Sequence, residues 1–318
     1  MSSEITKGVT RRLGVPDLFE KLTEQISGSE LNSLLLEILH QKTNQISPAD
    51  LLKSYEENRF VKPVAYDWIP FIEWELELLR FAAKQNFAPL ELSPVSPLGT
   101  CSVLATVHQH KVLSALRGTE VTADATNVLA LESSLHRREL LKINAKSPER
   151  VRLCTTHRHT RTQIFDFPGF TPHFKIFCLT TAGRDEGNFK LEKEVLKEHL
   201  EFYKQLFTEK LGIENTRIRL ILKDLPQAEE ENPLFETLQQ SVSEAFPEMS
   251  CTIQKIKEAN YYQGLQFKIM LAVGEREFDI ADGGFVDWTQ QLLHNHKERL
   301  LISGLGTELL YKLQTNQL

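Results

Sequence analysis

The side chains best equipped for chemistry fall in Thr160-Arg-Thr-Gln-Ile-Phe-Asp-Phe-Pro-Gly-Phe-Thr-Pro-His-Phe-Lys-Ile-Phe177. A guanidinium, Arg161, and an imidazole, His173, here share one short stretch with several aromatic rings. Planar cations pair with phosphates and rings stack on bases, so the cluster suits a nucleotide. His157, His159 and His173 could instead hold a metal. Two of them stand two apart on an extended segment with no evident fourth ligand, so hydrogen bonding or phosphate-facing is the simpler reading and no metal site is assigned. No Gly-x-Ser-x-Gly elbow and no thiol in an activating setting offers a nucleophile.

The elements that must position this cluster read as a hairpin. Cys154 to Gln163 is rich in Thr and basic residues, Phe174, Ile176, Phe177 and Leu179 are strand formers, and Pro168-Gly169 marks the reversal. A basic-faced hairpin with an apolar underside would look the same. Upstream, residues 1–65 read as short helices. Leu31, Leu34, Leu35, Ile38 and Leu39 form a helical stripe expected to pack on its own domain, and Ser47-Pro48-Ala49-Asp50 is a capping start. A longer helix begins at an Asp67 N-cap, with Trp68, Phe71, Ile72, Leu76, Leu79 and Ala83 as its apolar face. Phe87 to Pro97 is then extended and interrupted by prolines, which confines it to an edge or bulge.

Beyond Gly99–Ala115, which gives no firm pattern, Asp124 and Thr126 precede a helix from Asn127 to Leu141, and either could cap it. Lys190 to Leu211 is an amphipathic helix, Arg217 to Lys223 a strand, Asn232 to Ala245 a helix. Glu258 to Phe267 and Ile280 to Asp287 form a second strand pair in which Gly283-Gly284 permit close backbone approach. Strands and helices mix without a parallel repeat, which predicts an antiparallel sheet flanked by helices.

Composition excludes some classes. With 318 residues, 41% hydrophobic and 25% charged, the chain can bury a sizeable core, and a net charge of −6 gives no general attraction for nucleic acid. Cys101, Cys154, Cys178 and Cys251 lie far apart without a CxxC pair, which fits neither a disulfide framework nor a zinc knuckle. No apolar run is long enough to span a bilayer and no signal pattern opens the chain, so a cytoplasmic protein without a membrane partner is expected.

Several of these segments resemble class II aminoacyl-tRNA synthetases in family order. The helix from Asp67 with Pro94 resembles the first signature, a dimer-interface element. Thr160-Arg161-Thr162-Gln163 with His173-Phe-Lys-Ile-Phe177 resembles the second, with Gln163 where the family has glutamate. Leu300-Leu-Ile-Ser-Gly-Leu-Gly-Thr-Glu-Leu-Leu310 resembles the third, with Leu309 where the family has arginine. Asp124 and Thr126, Tyr261-Tyr262-Gln263-Gly264 and Gly283-Gly284-Phe285-Val286-Asp287 resemble elements of histidyl-tRNA synthetases and their paralogues.

The resemblance implies an α+β fold, a helical extension at 1–65 and a catalytic core at 66–318. It implies a site for ATP with Mg, in which Arg161 is the catalytic phosphate anchor and Gln163, His173, Phe177 and Glu308 contact the nucleotide. The amino-acid side would be Asp124, Thr126, Lys257, Tyr261, Tyr262, Gly264, Gly283 and Gly284. It also implies a homodimer. The chain ends where an anticodon-binding domain would follow and Leu309 lacks the charge of the outer-phosphate arginine, so tRNA charging is not expected. Three expectations remain: a sensor or regulatory subunit binding an amino acid or nucleotide, with a protein partner; a ligase adenylating an amino acid or small carboxylate for a non-tRNA acceptor; or an interaction protein with a vestigial cleft.

Overall fold

The computed structural model describes residues 4–163, 171–225, 232–256 and 261–317. Its strands, in chain order, are β1 (Ala88–Pro89), β2 (Val95–Pro97), β3 (Ser114–Ala115), β4 (Thr119–Val121), β5 (Val151–Thr160) and β6 (His173–Arg184). They continue with β7 (Ile218–Leu225), β8 (Ser250–Lys255), β9 (Gly264–Val273), β10 (Arg276–Val286) and β11 (Glu298–Leu305). Among the described residues eight of these form one sheet in the order β1-β5-β6-β11-β10-β9-β7-β8, and β2-β4-β3 form a smaller one. The large sheet is antiparallel except at its two edges, where β1 pairs parallel with β5 and β8 with β7.

Helices cover both faces. On one side the helices Trp68–Lys84, Lys190–Gln205 and Pro233–Ala245 contribute Leu78, Val195, Phe202 and Leu238 to a core that includes Phe177, Phe267 and Leu301 of the sheet. On the other side the Ala125–Ile143 helix and Trp288 pack on Leu153, Cys178, Leu300 and Ile302. The sheet is thus apolar on both faces, and its central strands are correspondingly rich in buried Leu, Ile and Phe. No helix among the described residues is long and apolar enough to cross a membrane.

The hairpin read from the sequence forms as β5 and β6, paired from Val151↔Ala182 to Thr160↔His173. The Pro168-Gly169 reversal lies outside the described residues. Asp67 caps the Trp68–Lys84 helix by accepting from the Ile69 amide at 3.3 Å. That helix buries a different face from the expected one, however. Phe71, Glu75, Leu78 and Ala82 point inward, while Trp68, Ile69, Ile72 and Leu76 are exposed. Glu75 sits on the inward face, where its carboxylate accepts from Lys175 at 2.8 Å.

The N-terminal helices also depart from expectation. Ser47 forms a capping box with Asp50, as expected, and Ser27 forms another with Glu30 that the sequence reading did not include. Yet Leu34, Leu35, Ile38 and Leu39 stay exposed instead of packing on the rest of the chain, and no residue of that Gly28–Thr43 helix is buried.

Candidate functional site

The site is assembled by three elements meeting over one face of the sheet. The first is the start of the Ala125–Ile143 helix. Asp124 Oδ1 accepts from the Thr126 amide at 3.0 Å and from the Thr126 hydroxyl at 2.8 Å, so the capping reading of these two residues is realised, with the helix starting two residues earlier than expected. Its other oxygen, Oδ2, faces Arg161 Nη2 at 3.4 Å.

The second element is the end of β5. Arg161 Nε donates to the Ala123 carbonyl at 3.0 Å, and its guanidinium lies 5.2 Å from the centroid of the Phe174 ring. Beneath it, His159 accepts the Ala125 amide at 3.0 Å through Nε2; burial pushes its pKa down to about 3 and holds the ring neutral. This neutral imidazole fixes the cap against the strand, and so fixes Asp124 against Arg161.

The third element is the floor of β10 and β11. Cys178, Gly304 and Asp282 are directly cross-strand neighbours and share a face of the sheet. A side chain at Gly304 would point toward Ile176 Cγ2, 3.3 Å from an ideal Cβ, so the glycine leaves a gap between Cys178 and Asp282. A bulge falls between Asp279 and Ala281 in the pairing with β9. It shifts the strand's alternation by one residue, so Asp279 and Asp282, three apart in sequence, both face the same space.

Together these elements line a half-open cavity of about 320 Å³. Asp124, Thr126, Arg161 and Phe174 line one part of it, Tyr261, Tyr262, Asp279 and Asp282 another, and Glu308, Leu309 and Lys312 a third. The volume is in the range of small-ligand sites. The Tyr261 and Tyr262 rings pack at a tilt of 46° with centroids 4.6 Å apart, and the Tyr262 hydroxyl donates to Asp282 Oδ2 at 3.2 Å, as does Gln266 Nε2 at 3.2 Å. Burial, then the nearby Asp279, raises the Asp282 carboxyl above the usual carboxylate range. Burial likewise raises the Tyr261 hydroxyl, and the charges of both Asp124 and Asp282 act on it in the same direction.

This architecture matches solved structures. The chain superposes on an apo histidyl-tRNA synthetase from S. aureus with a TM-score of 0.55 and 12% identity, covering 78% of this chain and 66% of that one. On a putative threonyl-tRNA synthetase from Aeropyrum pernix the TM-score is 0.60 at 16% identity, with 78% and 60% covered. On an ATP phosphoribosyltransferase regulatory subunit/histidyl-tRNA synthetase from Bacillus halodurans it is 0.55 at 12%, with 82% and 83% covered. The chain has the class II aminoacyl-tRNA synthetase fold. Its resemblance to histidyl- and threonyl-type catalytic cores extends over most of the chain, which spans about two thirds or less of the length of the first two synthetases. No family model and no curated protein sequence matches it.

Within this class II fold, the cavity brings together Asp124, Thr126, Arg161, Tyr261, Tyr262 and Glu308 of the residues named from sequence, with Leu309 in its wall. The others fall elsewhere. Phe177 is fully buried, stacked on Phe202 at 5.5 Å in the opposite core; Phe174, an odd number of positions away, is the ring that faces Arg161. Gln163 is exposed and outside the cavity lining, its carbonyl accepting from Arg59 at 3.2 Å. His173 is also outside it: Nδ1 accepts from Arg158 at 3.0 Å and Nε2 donates to the Lys62 carbonyl at 2.6 Å, so this imidazole ties down the N-terminal segment. Glu308, expected at a nucleotide, is bonded to Lys312 at 3.0 Å, Tyr66 at 3.3 Å and Arg158 at 3.4 Å.

The three glycines serve protein packing instead of ligand approach. A Cβ on Gly284 would stand 2.7 Å from the Tyr262 ring, on Gly283 2.5 Å from the Ile302 carbonyl, and on Gly264 2.6 Å from Leu234. Gly284 therefore makes room for Tyr262, and the glycines at the ligand surface are Gly304 and Gly306. Lys257 lies outside the described residues. Asp282 and Asp279 were not singled out from the sequence, although Asp282 adjoins the Gly-Gly pair that was.

Proposed function

We propose that the cavity binds an α-amino acid, with the ammonium group on Asp124 and the carboxylate on Arg161, in a synthetase-like sensor or regulatory paralogue that does not charge tRNA. The observation that carries this reading is the Asp124–Arg161 pair itself. Opposite charges 3.4 Å apart in the wall of a half-open cavity are complementary to a zwitterion, which presents the same two charges in reverse. The residues fit ATP with Mg less well. A triphosphate calls for cations at its outer end, where Leu309 supplies none, Lys175 is held by Glu75 at 2.8 Å and Lys312 by Glu308 at 3.0 Å.

A second reading, a ligase that adenylates its amino acid, is favoured by the Arg161 guanidinium over the Phe174 ring, a pair that could take an α-phosphate and a base. Two measurements separate them. An amino acid at a hundred times its dissociation constant is expected to stabilise the protein by roughly 2.7 kcal/mol, ATP to add nothing, and amino-acid-dependent pyrophosphate exchange to stay at background. Robust exchange would establish the ligase. The absence of a shift with every amino acid would leave a vestigial cleft.

The exposed stripe Trp68, Ile69, Ile72 and Leu76 supports a homodimer through the Trp68–Lys84 helix, since a contiguous apolar surface of this kind is characteristic of an interface. Sedimentation at micromolar concentration is expected to show a dimer, and Ile72→Glu with Leu76→Glu to shift it to monomer. A wild-type protein that sediments as a monomer would refute the interface.

A further inference from the structure

We infer that the amino acid bound here carries an aliphatic cation, an ammonium or guanidinium, at the end of its side chain, and that Asp282 selects it. The inference rests on the reading of the cavity as an amino-acid site and specifies which class of amino acid it takes. Its starting point is that Asp124 and Asp282 play different parts. Asp124 has a helix amide, a hydroxyl and Arg161 as partners. Among the described residues the hydrogen bonds to Asp282 come from neutral donors, the Tyr262 hydroxyl and the Gln266 amide, both on the same oxygen, Oδ2.

Lys268, cross-strand from Asp282, is bonded to Asp279. A half-buried carboxylate bonded to neutral donors is costly to maintain, and a ligand cation would complete it. The bulge in β10 and the gap at Gly304 both open space on this carboxylate's face. The tilted Tyr261 and Tyr262 rings line the cavity beside it, a surface suited to the methylene stem of a long basic side chain. A lysine or arginine side chain is fully charged at neutral pH, whereas an imidazole is mainly neutral and meets Asp282 as a cation only after taking up a proton.

The test compares ligands first and variants second. Titration calorimetry with free lysine, arginine, histidine, norleucine and glutamate is expected to show lysine or arginine binding at least about tenfold tighter than norleucine, which has the same stem without the cation. Asp282→Asn, which keeps the shape and both donors' partner, is expected to lose about 10- to 150-fold in affinity for the basic amino acid and to leave norleucine unchanged within about twofold. Norleucine or histidine binding as tightly as lysine and arginine would overturn the selection while leaving an amino-acid site in place. So would an Asp282→Asn protein that retains the preference. Failure of every amino acid to bind would instead overturn the site assignment, and this inference with it.

Discussion

Replacing Glu298 by alanine is expected to destabilise the protein by about 3–5 kcal/mol, the usual cost of stripping one partner from a buried ion pair. Glu298 and Arg137 are both fully buried, joined by two parallel bonds of 2.7 Å and 3.0 Å. Arg137 also donates to the Glu149 and Ser147 carbonyls, the latter at 3.3 Å. With Glu298 gone, a guanidinium would remain in the interior with carbonyl partners only. The pair ties the Ala125–Ile143 helix to β11, the two elements that carry Asp124 and Gly304, so the loss should also appear as weakened ligand binding. Urea unfolding measures it. The double replacement Arg137→Met with Glu298→Met is expected to recover most of the stability, because an apolar pair of similar volume avoids the desolvation cost. Additive losses in the double variant would show that the pair acts through something other than charge.

Much of this architecture could be read from the chain because it depends on periodicity. The β5–β6 hairpin and the helix on Lys190–Gln205 follow from residue pattern and spacing, whereas the strand expected over Glu258–Phe267 forms as Gly264–Val273, several residues later. What escaped depends on register. Phe174 and Phe177 differ by an odd number of positions and lie on opposite faces of β6, so choosing between them requires knowing which face is the site. Asp279 and Asp282 converge only because a bulge inserts between them, and no local residue type announces it. Arg137 sits in a run of polar and charged residues that reads as a solvated helix face, and only its distant partner Glu298 shows otherwise. His173 stood beside Arg161 in the hairpin as expected but faces the N-terminal segment, because residues two apart alternate with those between them across the strand pair.

The largest functional effect is expected at Arg161. Arg161→Ala should weaken binding of the amino acid by about 1.5–3 kcal/mol, or roughly 10- to 150-fold, since it removes the cation facing the ligand carboxylate in a half-open site. Arg161→Lys keeps the charge but loses the planar fork that also holds the Ala123 carbonyl at 3.0 Å, and an intermediate loss is expected. The sign of the effect can be checked with the ligand. The decarboxylated amine of the same amino acid lacks the group that Arg161 meets, so its affinity should hardly change in Arg161→Ala, where Asp124 is also released from its counter-ion. Arg158 provides the comparison. It lies outside the cavity lining and bonds Tyr66 at 3.0 Å, His173 at 3.0 Å and Glu308 at 3.4 Å, so Arg158→Ala should lower stability with little effect on affinity at a temperature where both proteins are folded. If Arg158→Ala abolishes binding while Arg161→Ala binds like the wild type, the ligand carboxylate meets the Arg158–Glu308 end of the site and the Asp124–Arg161 pair is only a helix cap.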